Sequence, residues 1–62
     1  MNNNICEYIN EDDMPRKICI RACSKVQAKS LVRAISRKYG YRVLLKNINV
    51  LYIDNNAKPV NI

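Results

Sequence analysis

The sequence predicts a small α+β domain of order β-α-β-β, in which one helix packs on one face of a three-stranded mixed sheet. Three observations lead to this class. A capped amphipathic helix lies in the middle of the chain, alternating apolar and polar residues lie on both sides of it, and a continuous apolar run follows. The 62 residues are enough for one domain with a thin margin of stability.

Composition divides the chain into an acidic N-terminal arm (1–15), a basic β-α-β-β domain (16–54) and a short C-terminal tail (55–62). The arm is rich in Asn and acidic residues, and Pro15 disfavours helix because the residue before a proline is pushed to extended geometry. Pro59 keeps the tail from being helical. We expect the arm either to fold back over the basic face or to form a loose, solubilising leader.

The first predicted strand covers residues 17–23, where apolar and polar residues alternate with a period of two. Ile18 and Ile20 are β-branched, which favours the strand conformation. The alternation places Cys19 and Arg21 together on the face opposite to these isoleucines.

The predicted helix covers residues 24–39. Ser24 followed by Gln27 matches a capping box, which satisfies N–H groups at a helix start. Gly40 lies where a left-handed C-terminal cap belongs. Helical spacing places five apolar residues on one narrow face, which we expect to cover the sheet. These residues are Ala28, Leu31, Val32, Ile35 and Tyr39.

Two more strands are predicted after the helix. Residues 41–46 alternate, with Tyr41 expected on the inner face as a core anchor, and residues 48–53 are apolar except for Asn49. A continuous apolar run is typical of a central strand covered on both faces. A right-handed crossover makes the first two strands parallel. The predicted strand order is therefore 1-3-2, with the third strand antiparallel to both neighbours.

One helix cannot cover both faces of this sheet. The second face is expected to be covered by the arm, by the tail through Val60 and Ile62, or by a second copy of the chain in a homodimer. Leu44 and Tyr52 are the residues we expect at this face. Exposed apolar patches usually mark contacts, so this face is the predicted protein interface.

The basic residues are segregated along the chain. No acidic residue occurs from Met14 to Ile53, and this stretch holds every Lys and Arg except Lys58, in a chain of net charge +6. A folded body with such unbalanced charge favours a negatively charged partner. The sequence therefore indicates a basic binding module.

A stripe of four basic residues recurs every four positions along the predicted helix, beside its apolar face. Its members are Lys25, Lys29, Arg33 and Arg37. Like charges at this spacing cost about 0.2–0.5 kcal/mol per neighbouring pair, and bound phosphates would relieve that cost. The alternative is a solvated surface whose long side chains spread apart. Arg21, Arg42 and Lys46 are expected on the sheet, where they would widen the footprint.

We therefore expect a small non-enzymatic module that binds nucleic acid, DNA or RNA, through phosphate contacts. The alternative is a phage or mobile-element regulator or inhibitor that binds an acidic surface of a host protein, with Leu44 and Tyr52 at the apolar centre. The abundance of Asn and Ile is typical of AT-rich genes. The predicted element order also resembles that of several small phage-encoded proteins that inhibit host enzymes.

Other classes of function find little support in the residues. The chain has no histidine, which removes Ser–His and Cys–His pairs, and it lacks a glycine-rich phosphate loop, so we expect no catalytic residue and no cofactor. Cys6, Cys19 and Cys23 are expected to be free thiols without a metal. No apolar run approaches the roughly 20 residues of a membrane span. The polar N-terminus does not resemble a signal peptide, so a cytoplasmic location is expected.

Overall fold

In the computed structural model, which describes residues 1–61, three strands form one sheet and one α-helix packs against it. The α+β class with a single helix is therefore confirmed. In chain order the elements are β1 (Asn2–Ile9), β2 (Pro15–Ala22), α1 (Lys25–Lys38), a short 3₁₀ helix (Leu45–Asn47) and β3 (Asn49–Ile53).

The strand order is β2-β1-β3, and β1 pairs antiparallel with both neighbours, so the sheet is antiparallel and not mixed as predicted. The two outer strands therefore run parallel to each other, and α1 connects them in a split β-α-β arrangement. The predicted pattern of one strand running antiparallel between two parallel ones is present. The predicted order 1-3-2 is wrong, because the central position belongs to the N-terminal segment and not to 48–53. The element order is β-β-α-β, so the resemblance based on β-α-β-β order loses its foundation.

The central strand β1 corrects the prediction of an arm outside the fold, because most of the predicted arm belongs to this strand. Asn3 and Asn4 are buried, and the side-chain Nδ2 group of each donates hydrogen bonds. Asn4 Nδ2 donates to the carbonyls of Asn2 (2.9 Å) and Ile20 (3.3 Å), while Asn3 Nδ2 donates to the carbonyl of Ala57 (3.0 Å). Polar side chains can lie inside a sheet when partners of this kind satisfy them.

A tight turn joins β1 to β2, and Asn10 organises it. The Asn10 side-chain oxygen accepts hydrogen bonds from the N–H groups of Asp12 and Met14, both at 3.0 Å. Asp13 adopts a positive φ of 59°, which aspartate tolerates better than most residues. The acidic cluster of the predicted arm is therefore a structured hairpin turn.

The hydrophobic core lies between α1 and the inner face of the sheet. Its buried members come from β1, β2, α1 and the segment before β3, and they are Cys6, Ile20, Ala22, Ala28, Val32, Ile35, Val43 and Ile48. Leu31 packs against this cluster, as its place on the predicted apolar face of the helix requires. Tyr39 does not, since 68% of it is exposed, so its prediction as a core anchor is wrong.

The C-terminal tail crosses the face of the sheet opposite to α1. Asn3 and Ile5 alternate with the core residue Cys6 along β1 and therefore point to this outer face. Besides the contact of Asn3 with Ala57, the Val60 N–H donates to the carbonyl of Cys19 on β2 at 3.0 Å. Ile5 is 9% exposed beneath this crossing. Of the covers expected for this face, the structure therefore shows the tail, which is held to β2 by the backbone N–H of Val60. Ile62 lies outside the described residues.

The segment predicted as the second strand does not join the sheet. Val43 and Ile48 are buried and anchor it to the core, but Tyr41 is 44% exposed and the 3₁₀ helix replaces the end of the predicted strand. The segment pairs with neither edge of the sheet, so the alternating pattern at 41–46 forms an irregular connection and the 3₁₀ helix instead. Tyr41 is therefore not the expected core anchor.

The apolar run at the end of the domain forms β3, an edge strand paired with β1 on one side only. Val50 packs against the core, while Leu51, Tyr52 and Ile53 are exposed. The run is consequently not covered on both faces. Apolar composition alone did not distinguish a central strand from an exposed edge.

Candidate nucleic-acid interface

Helix α1 holds the four basic residues of the stripe in fixed positions. Ala28, Val32 and Ile35 anchor one side of α1 in the core, so the stripe follows the border between core and solvent. Its members Lys25, Arg33 and Arg37 are exposed, whereas Lys29 is half-buried. The structure therefore places the stripe on one flank of the molecule.

The C-terminal end of α1 determines where the chain goes next. Gly40 has a φ of +85°, the left-handed conformation predicted for this position. The Gly40 N–H donates to the carbonyl of Arg37 (3.1 Å), and the Tyr41 N–H donates to the carbonyl of Ser36 (2.8 Å). This pair of bonds is a Schellman motif, which satisfies the last carbonyls of the helix. It turns the chain so that residues 41–45 lie beside the last turns of α1.

A groove of about 450 Å³ lies between α1 and this returning segment, and we call it the arginine groove. Its lining residues are Arg33, Arg37, Tyr41, Arg42, Val43 and Leu44. A smaller groove of about 170 Å³ adjoins it, lined by Ser30, Arg33, Ala34, Arg37 and Leu45. The two share Arg33 and Arg37, and within the described part of the chain neither is lined by an acidic residue.

The structure brings together three of the seven basic residues predicted for the site, Arg33, Arg37 and Arg42, at the arginine groove. Arg42 reaches the groove from the connection after the helix and not from a strand. Lys46 belongs to the 3₁₀ helix, which contacts α1, but it does not line the groove. The expected sheet positions of Arg42 and Lys46 are therefore wrong.

Arg21 lies apart from the helical stripe. It is opposite Asn3 in the β1–β2 register and exposed, so it belongs to the outer face of the sheet, whereas α1 covers the inner face. Cys19 shares that outer face, as predicted for the alternating strand. The structure therefore does not place the seven predicted basic residues on one continuous surface.

The two residues predicted for a protein interface are also separated. Leu44 lines the arginine groove and is 56% exposed, while Tyr52 lies on β3 opposite Ile5 and is 53% exposed. They do not share a sheet face. The tail covers part of the outer face over β1, so the premise of a wholly uncovered face for a homodimer is also corrected.

The acidic hairpin turn does not cover the stripe. Glu11 and Asp12 line a separate depression together with Arg16 and Tyr41. Tyr41 therefore stands between the acidic turn and the arginine groove. Glu7, on β1, is opposite Lys17 in the sheet register, a cross-strand pair of opposite charge on the outer face.

The three cysteines are free and differ in their surroundings. Cys6 is buried, Cys19 is half-buried and Cys23 is exposed. Burial raises the pKa of the Cys6 thiol above 9.0, and the charge of Cys19 adds to this, while nearby Lys29 acts in the opposite direction. Burial and the charge of Asp54 raise the pKa of Cys19. Among residues 1–61, no three His, Cys, Asp or Glu side chains are grouped closely enough to hold a metal ion.

Sequence reasoning missed Tyr41 and Leu45 as walls of the grooves. Gly40 gave the signal that could have identified them, because a Schellman motif reverses the chain and brings the next residues back beside the helix. The regular alternation at 41–46 directed the prediction to a strand instead.

Comparison with protein-family models, with curated proteins and with solved structures gave no match. Within residues 1–61, no helix has the length and apolar character needed to span a membrane.

Proposed function

We propose that this chain is a small, non-enzymatic nucleic-acid-binding module that contacts phosphates through the arginine groove. The observation that carries the proposal is the convergence of Arg33 and Arg37 from α1 with Arg42 from the returning segment. Guanidinium groups present a planar fork of donors that matches phosphate oxygens. Lys25 and Lys29 extend the same flank towards the start of the helix.

Electrostatic repulsion in the free protein supports the proposal. Lys29, Arg33 and Arg37 follow one another at four-residue spacing, and like charges so placed destabilise a helix by about 0.2–0.5 kcal/mol per pair. The groove residues provide no acidic group that would relieve this repulsion. A bound phosphate backbone supplies the missing negative charge.

Contacts of this kind position a nucleic acid without reading its sequence. We therefore expect affinities for unrelated sequences to be similar at a given salt concentration. The affinity is expected to depend strongly on salt, since each neutralised phosphate releases counterions.

The test is a salt titration of binding to duplex DNA, single-stranded DNA and RNA, with the mass of the complex measured in solution. If about five phosphates are neutralised on duplex DNA, log K falls against log salt with a slope of roughly −4 to −5. On single strands the same number of contacts gives a slope of about −3.5. A flat salt dependence for all three ligands would remove the proposal.

Single variants locate the contacts. Arg33→Gln and Arg37→Gln each remove one charge at the groove, and each is expected to weaken binding for every sequence and to reduce the salt slope by about one. Arg21→Gln removes the same charge on the outer face of the sheet and is the matched control, expected to change the slope little. Equal losses in all three variants would show that overall charge, and not the groove, governs binding.

A second candidate is a regulator that binds an acidic protein surface, of the phage or mobile-element kind. The exposed apolar residues favour it, because Leu44 and Leu45 lie beside the arginines and Leu51 and Ile53 are exposed on the edge strand β3. Such groups provide the apolar centre of an interface, while charge speeds association. A specific protein partner retained after nuclease treatment at moderate salt supports this candidate, and recovery of nucleic acid alone counts against it.

A further inference from the structure

We infer that the arginine groove takes a single-stranded nucleic acid, with a base stacked on Tyr41 and the neighbouring phosphates on Arg33, Arg37 and Arg42. This inference rests on the proposed function and specifies its ligand class. The observation behind it is that the groove is not only basic. Tyr41 is 44% exposed and Leu44 is 56% exposed in the same wall.

Phosphate binding explains the arginines of the groove but not its apolar wall. A duplex presents its phosphates outside and keeps its bases stacked within, so it has no flat apolar group to place in a groove. A single strand offers both, because its unstacked bases lie on aromatic side chains and guanidinium planes while its backbone follows a basic surface. The combination of Tyr41 with three arginines matches that chemistry.

The dimensions of the groove agree with this ligand. Its volume of about 450 Å³ lies in the range of about 300–1,000 Å³ that holds small organic ligands, which includes a nucleotide. The adjoining groove of about 170 Å³ shares Arg33 and Arg37, so the backbone has a continuous basic path from one to the other.

The backbone of Tyr41 is held in place before any ligand arrives. Its N–H is bonded to the Ser36 carbonyl at 2.8 Å, and the left-handed Gly40 precedes it. Because the backbone at Tyr41 is already ordered, binding of a base to the ring does not have to order this part of the chain.

The charges around Tyr41 also determine the path of the nucleic-acid strand over the surface. Glu11 and Asp12, with Arg16 as the one cation beside them, line the depression on the other side of Tyr41, so its lining is net negative and repels phosphates. The strand is therefore expected to leave Tyr41 towards the smaller groove, along Arg33 and Arg37, and not towards the hairpin turn.

The experiment compares single strands of equal length and charge, with and without bases, and adds a duplex of the same length. Fluorescence anisotropy measures binding of an oligothymidylate, an oligouridylate, an abasic oligomer and a duplex, all of about 12 nucleotides or base pairs, within the site sizes of roughly 4–16 known for single-strand binders. We expect both base-bearing single strands to bind at least about fivefold tighter than the abasic oligomer. A preference for the deoxy or the ribo form identifies the source of the ligand and supports the inference equally.

Variants of Tyr41 test the stacking residue. Tyr41→Leu is expected to reduce binding of the base-bearing strands by about fivefold or more and to leave binding of the abasic oligomer unchanged. Tyr41→Phe is expected to retain the preference for base-bearing strands over the abasic oligomer. Tyr52→Leu is the matched control, because Tyr52 is similarly exposed but lies on β3, away from the groove. Should Tyr41→Leu fail to fold by circular dichroism, the comparison of base-bearing and abasic strands on the unaltered protein decides the matter.

The outcomes separate this inference from the proposed function. An abasic oligomer and a duplex that bind as tightly as the base-bearing single strands overturn the single-strand inference but leave phosphate binding in place. Displacement of the strands by polyglutamate of matched charge, at equal concentration, also overturns it in favour of an acidic peptide. No binding to any of the nucleic acids at low salt overturns both.

Discussion

Two asparagines, Asn3 and Asn4, hold the N-terminal segment in the sheet through hydrogen bonds. Asn4 donates through its side chain to the carbonyls of Asn2 and Ile20, and the backbone N–H of Asn3 donates to the side-chain oxygen of Asn55 at 2.8 Å. Among the described residues, Asn3 Oδ1 is the buried side-chain atom without a hydrogen-bond partner. Such bonds contribute about 0.5–1.5 kcal/mol each, while an unsatisfied buried group costs about 1–3 kcal/mol. The partly satisfied Asn3 is therefore less favourable than Asn4.

The buried thiol of Cys6 gives the fold a dependence on alkaline pH. Burial raises the Cys6 pKa above 9.0, so the unfolded chain releases its proton at a lower pH than the folded chain does. The stability associated with this thiol is fully present below about pH 9 and is lost as the pH rises through the folded pKa, by at most about 1.4 kcal/mol per pH unit. We predict that Cys6→Ala, less stable at neutral pH, loses less stability than the unaltered protein between about pH 8 and 10.

Urea unfolding at several pH values, with reductant present, measures this difference. Cys23→Ala is the control, because it removes an exposed thiol and leaves the buried Cys6 in place. A Cys6→Ala profile parallel to that of the unaltered protein would show that Cys6 does not cause the dependence.

At the scale of the elements, α1 is specified at both ends by bonds that its own sequence supplies. Ser24 Oγ accepts from the Gln27 N–H at 3.1 Å, and Gln27 Oε1 accepts from the Cys23 N–H at 2.6 Å. The second bond reaches one residue beyond the position expected of a capping box. Gly40 completes the other end. Local bonds of this kind are readable from sequence, which is why the helix was predicted correctly.

We predict that Ser24→Ala destabilises the protein by about 1 kcal/mol, since it leaves an N–H at the helix start without its side-chain acceptor. Thermal or urea unfolding measures the loss. Ser30→Ala is the matched control, because Ser30 is exposed within α1 and alanine is the better helix former there. A loss in Ser30→Ala equal to that in Ser24→Ala would contradict a capping role for Ser24.

The strands were harder to predict than the helix. Residues 15–22 form the first predicted strand with a shift of two residues or fewer, because isoleucines alternate there. Residues 2–9 are too polar to indicate a strand, although Asn10, Asp12 and Asp13 form a cluster typical of a hairpin turn. That cluster, placed before a clear strand, was the available signal for β1.

At the scale of the whole molecule, the unbalanced positive charge favours binding of a negative partner but lowers the stability of the free protein. The net charge of +6 is concentrated on α1 and the segment after it, with Arg21 and Lys17 on the opposite face of the sheet. Repulsion within the stripe lowers the stability of the free protein, and salt screens it.

We predict that the double variant Arg33→Gln/Arg37→Gln is more stable than the unaltered protein by a few tenths of a kcal/mol, because it removes like charges at four-residue spacing. Glutamine and arginine have similar helix propensities, so the helix itself is expected to remain. Unfolding at about 50 mM and about 200 mM salt measures both the gain and its expected decrease at higher salt. Lower stability of the double variant at both salt concentrations would show that these arginines stabilise the fold and would contradict this prediction.

The sequence by itself determined the α+β class, the helix with both of its ends, and the concentration of basic residues along one stretch of chain. These features depend on neighbours within a few positions, such as Ser24 with Gln27 or Gly40 with the preceding turn. Only the tertiary structure decided the central strand and the arginine groove. β1 is central because it pairs with both β2 and β3, and Asn3 and Asn4 add bonds to Ala57 and Ile20, far away in sequence. The groove exists because the chain reverses at Gly40 and returns beside α1, which no local pattern of charge or hydrophobicity records.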